Sequence, residues 1–268
     1  TTNLCHNAID RHLKDRANQA ALVAISTETN TERSYSFAEL HAEVQRMAAS
    51  LIALGVKKGD RVLIYMPMIA EAAFAMLACV RIGALHSVVF GGFASGSLAS
   101  RIEDAEPVAI VSADAGSRGG KAVPYKPLLD EAIRLSRHKP AAVLLVDRGL
   151  VPMDLVAGRD HLWAALREQH LNTVVPCEWV ESTHPSYTLY TSGTTGRSKG
   201  AMLTHANLLS NALVLKDYWG WQPGDVLVHA LPIFHVHGLF VAIHGALLSG
   251  SKMLWFGKFD PQAVIAAL

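Results

Sequence analysis

The sequence predicts an α/β protein with doubly wound, largely parallel sheets and helices on both faces. Three observations carry this. Short, evenly apolar runs recur at RVLIYM (61–66), HSVVF (86–90), VAIVSA (108–113) and AAVLLVD (141–147), and an unbroken apolar run of that length suits a strand buried on both faces. A stretch with helical spacing or composition follows each run, which supplies the crossover that parallel neighbours require. Gly55, Pro67 and Gly83 stand at the joints, where glycine ends helices and proline punctuates the chain.

The first helix announces both of its ends. Ser36 and Glu39 form a capping box, and Phe37, Leu40, Val44, Met47, Leu51 and Leu54 follow at spacings of three and four before Gly55, which predicts an amphipathic helix. Strand 61–66 leads through Pro67 into a helix over 69–82, closed by Gly83. Strand 86–90, a helix near 97–104, strand 108–113, a helix near 128–136, strand 141–147 and a helix near 160–170 continue the alternation. Residues 187–190 and 200–203 read as strands around a polar loop, followed by a helix over 206–217. Strand 226–231, helix 238–248 and strand 252–256 complete the pattern, and the sequence contains neither an internal repeat nor a low-complexity linker. Asp260-Pro261 is an N-cap followed by first-turn proline, a helix start so close to the last residue that a truncated parent is expected.

Composition narrows the function classes. The chain has 268 residues, 50% hydrophobic and 18% charged, enough for a substantial core in one large or two small domains. Its 24 basic and 23 acidic side chains set up no global field for nucleic acid or an anionic membrane, so neither is expected as a partner. Cys5, Cys79 and Cys177 are widely spaced and odd in number; this excludes a disulfide framework or a CxxC knuckle and suits a reducing, cytoplasmic setting. The start shows no signal-peptide pattern. The most apolar stretch, 226–256, is broken by Pro232 and by His229, His235, His237 and His244, as in a buried core rather than a membrane span.

Chemistry concentrates in residues 187–204, YTLYTSGTTGRSKGAMLT. Glycines free backbone N–H groups to turn toward an anion, Ser and Thr add donors, and lysine adds a point charge; together they suit a phosphate cradle. A solvated hairpin loop rich in turn formers is the bland alternative. The spacing fits neither a Walker A loop nor a dinucleotide fingerprint. What remains, [ST]SGTTGxxKG, resembles the signature of the adenylate-forming acyl-CoA synthetases, luciferases and adenylation domains.

That resemblance covers nearly the whole chain and implies the partial N-terminal domain of an adenylate-forming enzyme, with ATP, Mg²⁺ and CoA as cofactors. Such enzymes join a carboxylate to the α-phosphate of ATP, release pyrophosphate and then form a thioester. On the family motif, Thr191, Ser192, Gly193, Thr194, Thr195 and Gly196 match the pyrophosphate-contacting residues, and Lys199 matches its lysine. Residues 1 to about 190, including GDRVLIYMPMIAEAAFAMLACVRIGALHSVVFGGFASGSLASRIEDAEP, resemble propionyl- and acetyl-CoA synthetases. From about residue 200, AMLTHANLLSNALVLKDYWGWQPGDVLVHALPIFHVHGLF is similar to malonyl-CoA synthetase. This implies a division into a first α/β subdomain, 1–190, and the loop with part of a second, 191–268. It also implies a junction between two parents and no C-terminal domain.

The same resemblance assigns the remaining positions. Phe234 and His235 match an aromatic gate between ATP and acyl pocket, with His235 beside Lys199 as a catalytic candidate. His237 is placed toward a second carboxylate such as that of malonate, with a packed core histidine as the alternative. Gly91, Gly92, Phe93, Arg118 and Lys121 fall on segments along the CoA path, with a solvated basic loop as the alternative. An HxH zinc site lacks acidic or cysteine partners nearby in sequence, so no metal residue is assigned. The substrate implied is a small carboxylic acid: acetate, propionate or malonate. The family's acidic ribose motif, hinge and C-terminal lysine match nothing in residues 1–268. Negligible ligase activity by this stretch alone is therefore expected, with self-association through uncovered apolar surface. A non-catalytic nucleotide-binding module and an engineered folding unit stand as the other readings.

Overall fold

The computed structural model describes residues 1–89, 91, 94–118, 121–191 and 199–267. At the N-terminus, Asn3 caps a short helix α1 (Leu4–Ala8), its side chain accepting from the Cys5 and His6 amides. Helix α2 (Leu13–Arg16) leads to strands β1 (Ala20–Ser26) and β2 (Thr31–Ser36), followed by helix α3 (Phe37–Ala53). The capping box forms as predicted: Ser36 Oγ accepts from the Glu39 amide at 3.2 Å and Glu39 Oε2 from the Ser36 amide at 2.7 Å.

The alternation then runs β3 (Arg61–Tyr65), α4 (Ala70–Arg81), β4 (Leu85–Val89), α5 (Ser95–Ala105), β5 (Ala109–Ala113), and a hairpin of β6 (Ala115–Arg118) and β7 (Lys121–Pro124). Next come α6 (Tyr125–Leu135), β8 (Ala142–Val146), β9 (Asp160–Leu162) and α7 (Trp163–Gln169). The last third holds β10 (Pro185–Thr191), β11 (Lys199–Thr204), α8 (His205–Trp219), β12 (Val226–His229), a π-helix (His237–Ile243) continuing into α9 (His244–Ser249), β13 (Lys252–Phe256) and α10 (Pro261–Ala266). The α/β class is as the sequence predicts.

Two sheets carry the fold. One has seven strands in the order β11-β10-β4-β3-β5-β8-β9, parallel except for the antiparallel edge β11; the other has the order β12-β13-β1-β2, with β2 antiparallel. Both sheets draw strands from either side of residue 190, since β1 pairs with β13 and β11 extends the sheet of β3. Alternate residues of the central strands feed two cores. Val62, Ile64, Val111 and Leu144 join a core with α3, α4 and β13, while Leu63, Tyr65, Ile110 and Val143 join a second with α5 and α6. The unbroken apolar runs follow from this double burial. Helix α4 is buried from Ala72 to Arg81, which explains why it is apolar around its whole circumference.

The structure corrects three local expectations. Residues 160–162 form strand β9 rather than the start of a helix: Asp160 aligns with Val143, and its carboxylate takes Lys126 Nζ at 2.9 Å, Arg159 Nε at 2.6 Å and the Val156 amide at 2.8 Å. Satisfying that acid outweighs helix propensity. The solvated basic loop given as the alternative at Arg118 and Lys121 is replaced by the β6–β7 hairpin, Arg118 aligned with Lys121. Helix 238–248 opens as a π-helix over His237–Ile243, with Gly238 tucked beneath Pro232.

Candidate functional site

The predicted phosphate loop joins β10 to β11. Its residues Ser192, Gly193, Thr194, Thr195 and Gly196 lie outside the described residues, as do Gly92 and Phe93. The hairpin around it is well defined. Thr191 aligns with Lys199 and Tyr190 with Gly200, and the Lys199 side chain is exposed. A Cβ at Gly200 would stand 2.9 Å from Thr188 Cγ2 and 3.3 Å from Tyr190 Cε1, so this glycine lets the strand cross the Tyr190 ring.

Tyrosines moor the hairpin to the sheet. Tyr187 is fully buried; its ring packs edge-on to His86 at 4.9 Å and Phe240 at 4.8 Å, and its hydroxyl accepts from the Val88 amide at 3.2 Å. Ser87 Oγ donates to the Thr188 carbonyl at 2.8 Å. The Tyr190 hydroxyl donates to Asp104 Oδ2 at 2.7 Å, and the Arg101 guanidinium sits 5.6 Å from its ring centroid. Burial first, then the bond to Asp104, raises the Tyr190 phenol well above its ordinary range, keeping it a neutral donor.

Because β10, β4, β3 and β5 are parallel, their carboxyl ends share one end of the sheet, the place where open α/β sheets bind ligands. Each group of predicted residues follows one of these ends or packs beside it. Gly91 follows β4. Its carbonyl accepts from the Tyr65 hydroxyl at 3.2 Å, and a Cβ on it would fall 1.8 Å from the Tyr125 hydroxyl. A Cβ on Gly116 would meet the same hydroxyl at 2.1 Å. The Tyr125 ring therefore occupies space that two glycines leave clear, stacked 4.7 Å from Tyr65, with its phenol pushed up to about 12 by burial. The β6–β7 hairpin beginning beside it carries Arg118 and Lys121 at its turn. Sequence reading missed Tyr125; its only local signal is the glycine-rich run preceding it.

Phe234 and His235 lie between β12 and the π-helix, their rings 5.9 Å apart. The Ile233 amide donates to Met68 Sδ at 3.4 Å, which ties this segment to the chain leaving β3. Phe234 is half-buried, whereas His235 and His237 are exposed. The HxH pair is not on a strand: His235 occupies a bend and His237 opens the π-helix.

Four other histidines are core residues. His86 packs on Tyr187, His229 on Trp255 at 4.9 Å and His244 on Phe240 at 5.4 Å. Burial lowers His86 to about 3 and His205, His229 and His244 to about 4, so all four are neutral. A solvent-open cleft bounded by Leu4, Met76, Leu209, Leu239, Ile243 and His244 has largely apolar walls and includes none of the predicted site residues. It offers nothing to hold a phosphate.

The separation of cysteines in sequence misleads. Among the described residues, Cys5, Asp10 and Cys177 form a cluster whose ligand-type atoms lie within 4.8 Å of one another. Sulfur-rich sets of this kind suit soft metals and not Mg²⁺. No described helix is long and apolar enough to cross a membrane.

Comparison with known proteins follows the same lines. The propionate–CoA ligases of Escherichia coli and Salmonella typhimurium are each 53% identical over 93% of this chain. An acetyl-coenzyme A synthetase of Methylobacterium radiotolerans is 42% identical over 96%. This chain spans about 40% of the length of each of these relatives. The 250-residue match to the Escherichia coli enzyme extends past residue 190. Among solved structures, the ATP-bound RpMatB-BxBclM chimera B3 aligns with TM-score 0.78 and 32% identity, over 98% of this chain and 47% of that one. The AMP-binding enzyme model matches residues 9–268, and with this fold and hairpin the chain belongs to the AMP-binding enzyme family.

Proposed function

We propose that residues 1–268 are the nucleotide-grasping part of an ATP-dependent acid–CoA ligase for a short carboxylate, propionate or acetate before malonate. The observation carrying this reading is the β10–β11 hairpin. It hangs a TSGTTGRSK connection from the carboxyl end of a parallel strand, locks its base with Tyr187 and Tyr190, and leaves Lys199 exposed beside it. Glycines and small hydroxyl donors at the end of such a base suit the capture of a polyphosphate and of the charge that builds on departing pyrophosphate.

In this reading Thr191 to Gly196 and Lys199 hold the ATP phosphates, and Phe234 with His235 forms the wall toward the carboxylate. His237, exposed at the start of the π-helix, is free to meet a polar substrate end. Gly91, Arg118 and Lys121 serve the CoA side, the bidentate fork and the point charge both suited to phosphate. Among the described residues, no cluster of three or more acidic side chains is matched to Mg²⁺. The preference for propionate over malonate rests on the 53% identity to the propionate–CoA ligases over 93% of this chain.

Titration calorimetry of the 268-residue chain with ATP tests this. Lys199→Ala removes an exposed side chain and leaves the fold intact, and loss of one charge-assisted phosphate contact weakens ATP binding about 10- to 100-fold. Equal affinity in both proteins refutes the assignment. Pyrophosphate exchange with propionate, acetate and malonate separates binding from catalysis. Background exchange is expected, because the ribose motif and C-terminal lysine of the family match nothing in residues 1–268; robust exchange overturns that expectation.

A further inference from the structure

Two cysteines 172 positions apart in sequence meet in a charged, partly buried niche. Cys5 Sγ and Cys177 Sγ both approach Asp10 Oδ2, at 4.0 and 3.8 Å, and the three groups lie within 4.8 Å of one another. Arg81 completes the niche from the end of α4. Its Nη1 and Nη2 donate to the Asp10 carboxylate at 2.9 and 3.0 Å, and Nη1 also reaches Cys5 Sγ at 3.5 Å. Cys5 is fully buried and Cys177 partly exposed. A hydrogen bond with Cys5, and then the Arg81 charge, lower the Cys177 thiol, whereas the same bond and burial raise Cys5. One thiol is thus reachable and gives up its proton more readily than the second thiol behind it.

A metal is the competing occupant. The Arg81 side chain is only 4% exposed, spans both oxygens of Asp10 and touches Cys5, so a dication would have to settle against a buried cation. Disulfide formation displaces nothing. The backbones that carry the two sulfurs are already fastened together. Thr2 donates to the Val180 carbonyl at 2.8 Å, and Asn3 Nδ2 donates to Glu178 and Val80 carbonyls at 2.8 and 2.9 Å. A covalent S–S bond is about 2.0 Å long, so the two sulfurs, now within 4.8 Å of one another, need only a short approach.

We propose that Cys5 and Cys177 are a redox modification site, converted by a hydroperoxide to a reversible disulfide that pins α1 to the segment before β10. The Cys177 thiolate attacks one peroxide oxygen; the S–O bond forms, the O–O bond breaks, and the departing oxygen leaves as water after taking a proton. Cys5, giving up its proton, then attacks the sulfenic sulfur. An S–S bond forms and hydroxide leaves, collecting that proton as a second water. Two thiols lose two electrons in total and hydrogen peroxide gains them.

The test treats the 268-residue chain with hydrogen peroxide, alkylates it in denaturant and maps the peptides by mass. The expected product carries one alkylated cysteine, Cys79, and a linked Cys5–Cys177 peptide about 2 Da lighter than the sum of its two thiol peptides, the link being opened by dithiothreitol. Native chain should pair these thiols at least about 10-fold faster than denatured chain, because only the fold brings them together. Cys5→Ser should leave Cys177 as a sulfenic acid trapped by dimedone. Free thiols at both positions after treatment, a bond between two chains, or equal pairing rates in native and denatured protein would each overturn the proposal.

Discussion

Replacing Gly238 with alanine should destabilise the protein although it sits in a helix. A Cβ at this position would stand 2.3 Å from the Pro232 carbonyl oxygen, 2.9 Å from its carbon and 3.1 Å from the Leu231 carbonyl oxygen. An ordinary carbon–oxygen contact is about 3.3 Å or more, so roughly 1 Å of relief is required. The obstacle is backbone, fixed on one side by the Ile233–Met68 contact and on the other by the His235 amide bond to Pro232. No rotamer can yield. Overpacking of this kind costs about 3 kcal/mol at its upper end, and alanine's helical advantage returns about 1 kcal/mol. The net loss is about 2 kcal/mol.

Gly245 provides the internal control. It lies one helical stretch further on in α9, and its Cβ would meet Trp221 at 3.5 Å or beyond, ordinary van der Waals contact. Gly245→Ala should stabilise by about 0.5–1 kcal/mol through reduced chain entropy. Urea unfolding followed by circular dichroism measures both. The reasoning fails if Gly238→Ala matches the parent chain, or if both variants lose stability alike. Because Phe234 and His235 are on the segment that Gly238 supports, Gly238→Ala should also weaken any carboxylate binding at that wall.

Two further perturbations probe the buried polar groups. His86, His205, His229 and His244 stay neutral in the fold, lowered to about 3 or 4 from an ordinary 6.5. The unfolded chain takes up protons first, so stability is full above about pH 6.5 and falls as the pH drops toward 4; a urea midpoint that is flat across this window contradicts it. Arg81→Met should cost about 3 kcal/mol, since it leaves the Asp10 carboxylate in a partly buried niche with His41 at 3.3 Å in place of a bidentate guanidinium. Thermal unfolding checks this, and the double change with Asp10→Leu should recover most of the loss.

Much of this protein was legible along the chain. The capping box at Ser36 and Glu39, the apolar runs that became β3, β4, β5 and β8, and the glycine–hydroxyl–lysine motif between β10 and β11 all depend on neighbours within a few residues. Local periodicity and capping chemistry report such features directly. What lay beyond reach depends on distant partners. Strand β1 finds β13 at the far end of the chain, Asp160 becomes a strand residue through Lys126 and Arg159, and Gly238 is required only because Pro232 crosses above it. The clearest case is Cys5 with Cys177: spacing argued against a pair, and packing of α1 against the end of α4 and the segment before β10 produced one. Composition and periodicity determined the fold class, and the glycine–hydroxyl–lysine run could be read directly from the sequence, because those are properties of short windows. Tertiary packing alone decided which distant side chains share a niche, because that choice is made by burial and hydrogen-bond satisfaction over the whole chain.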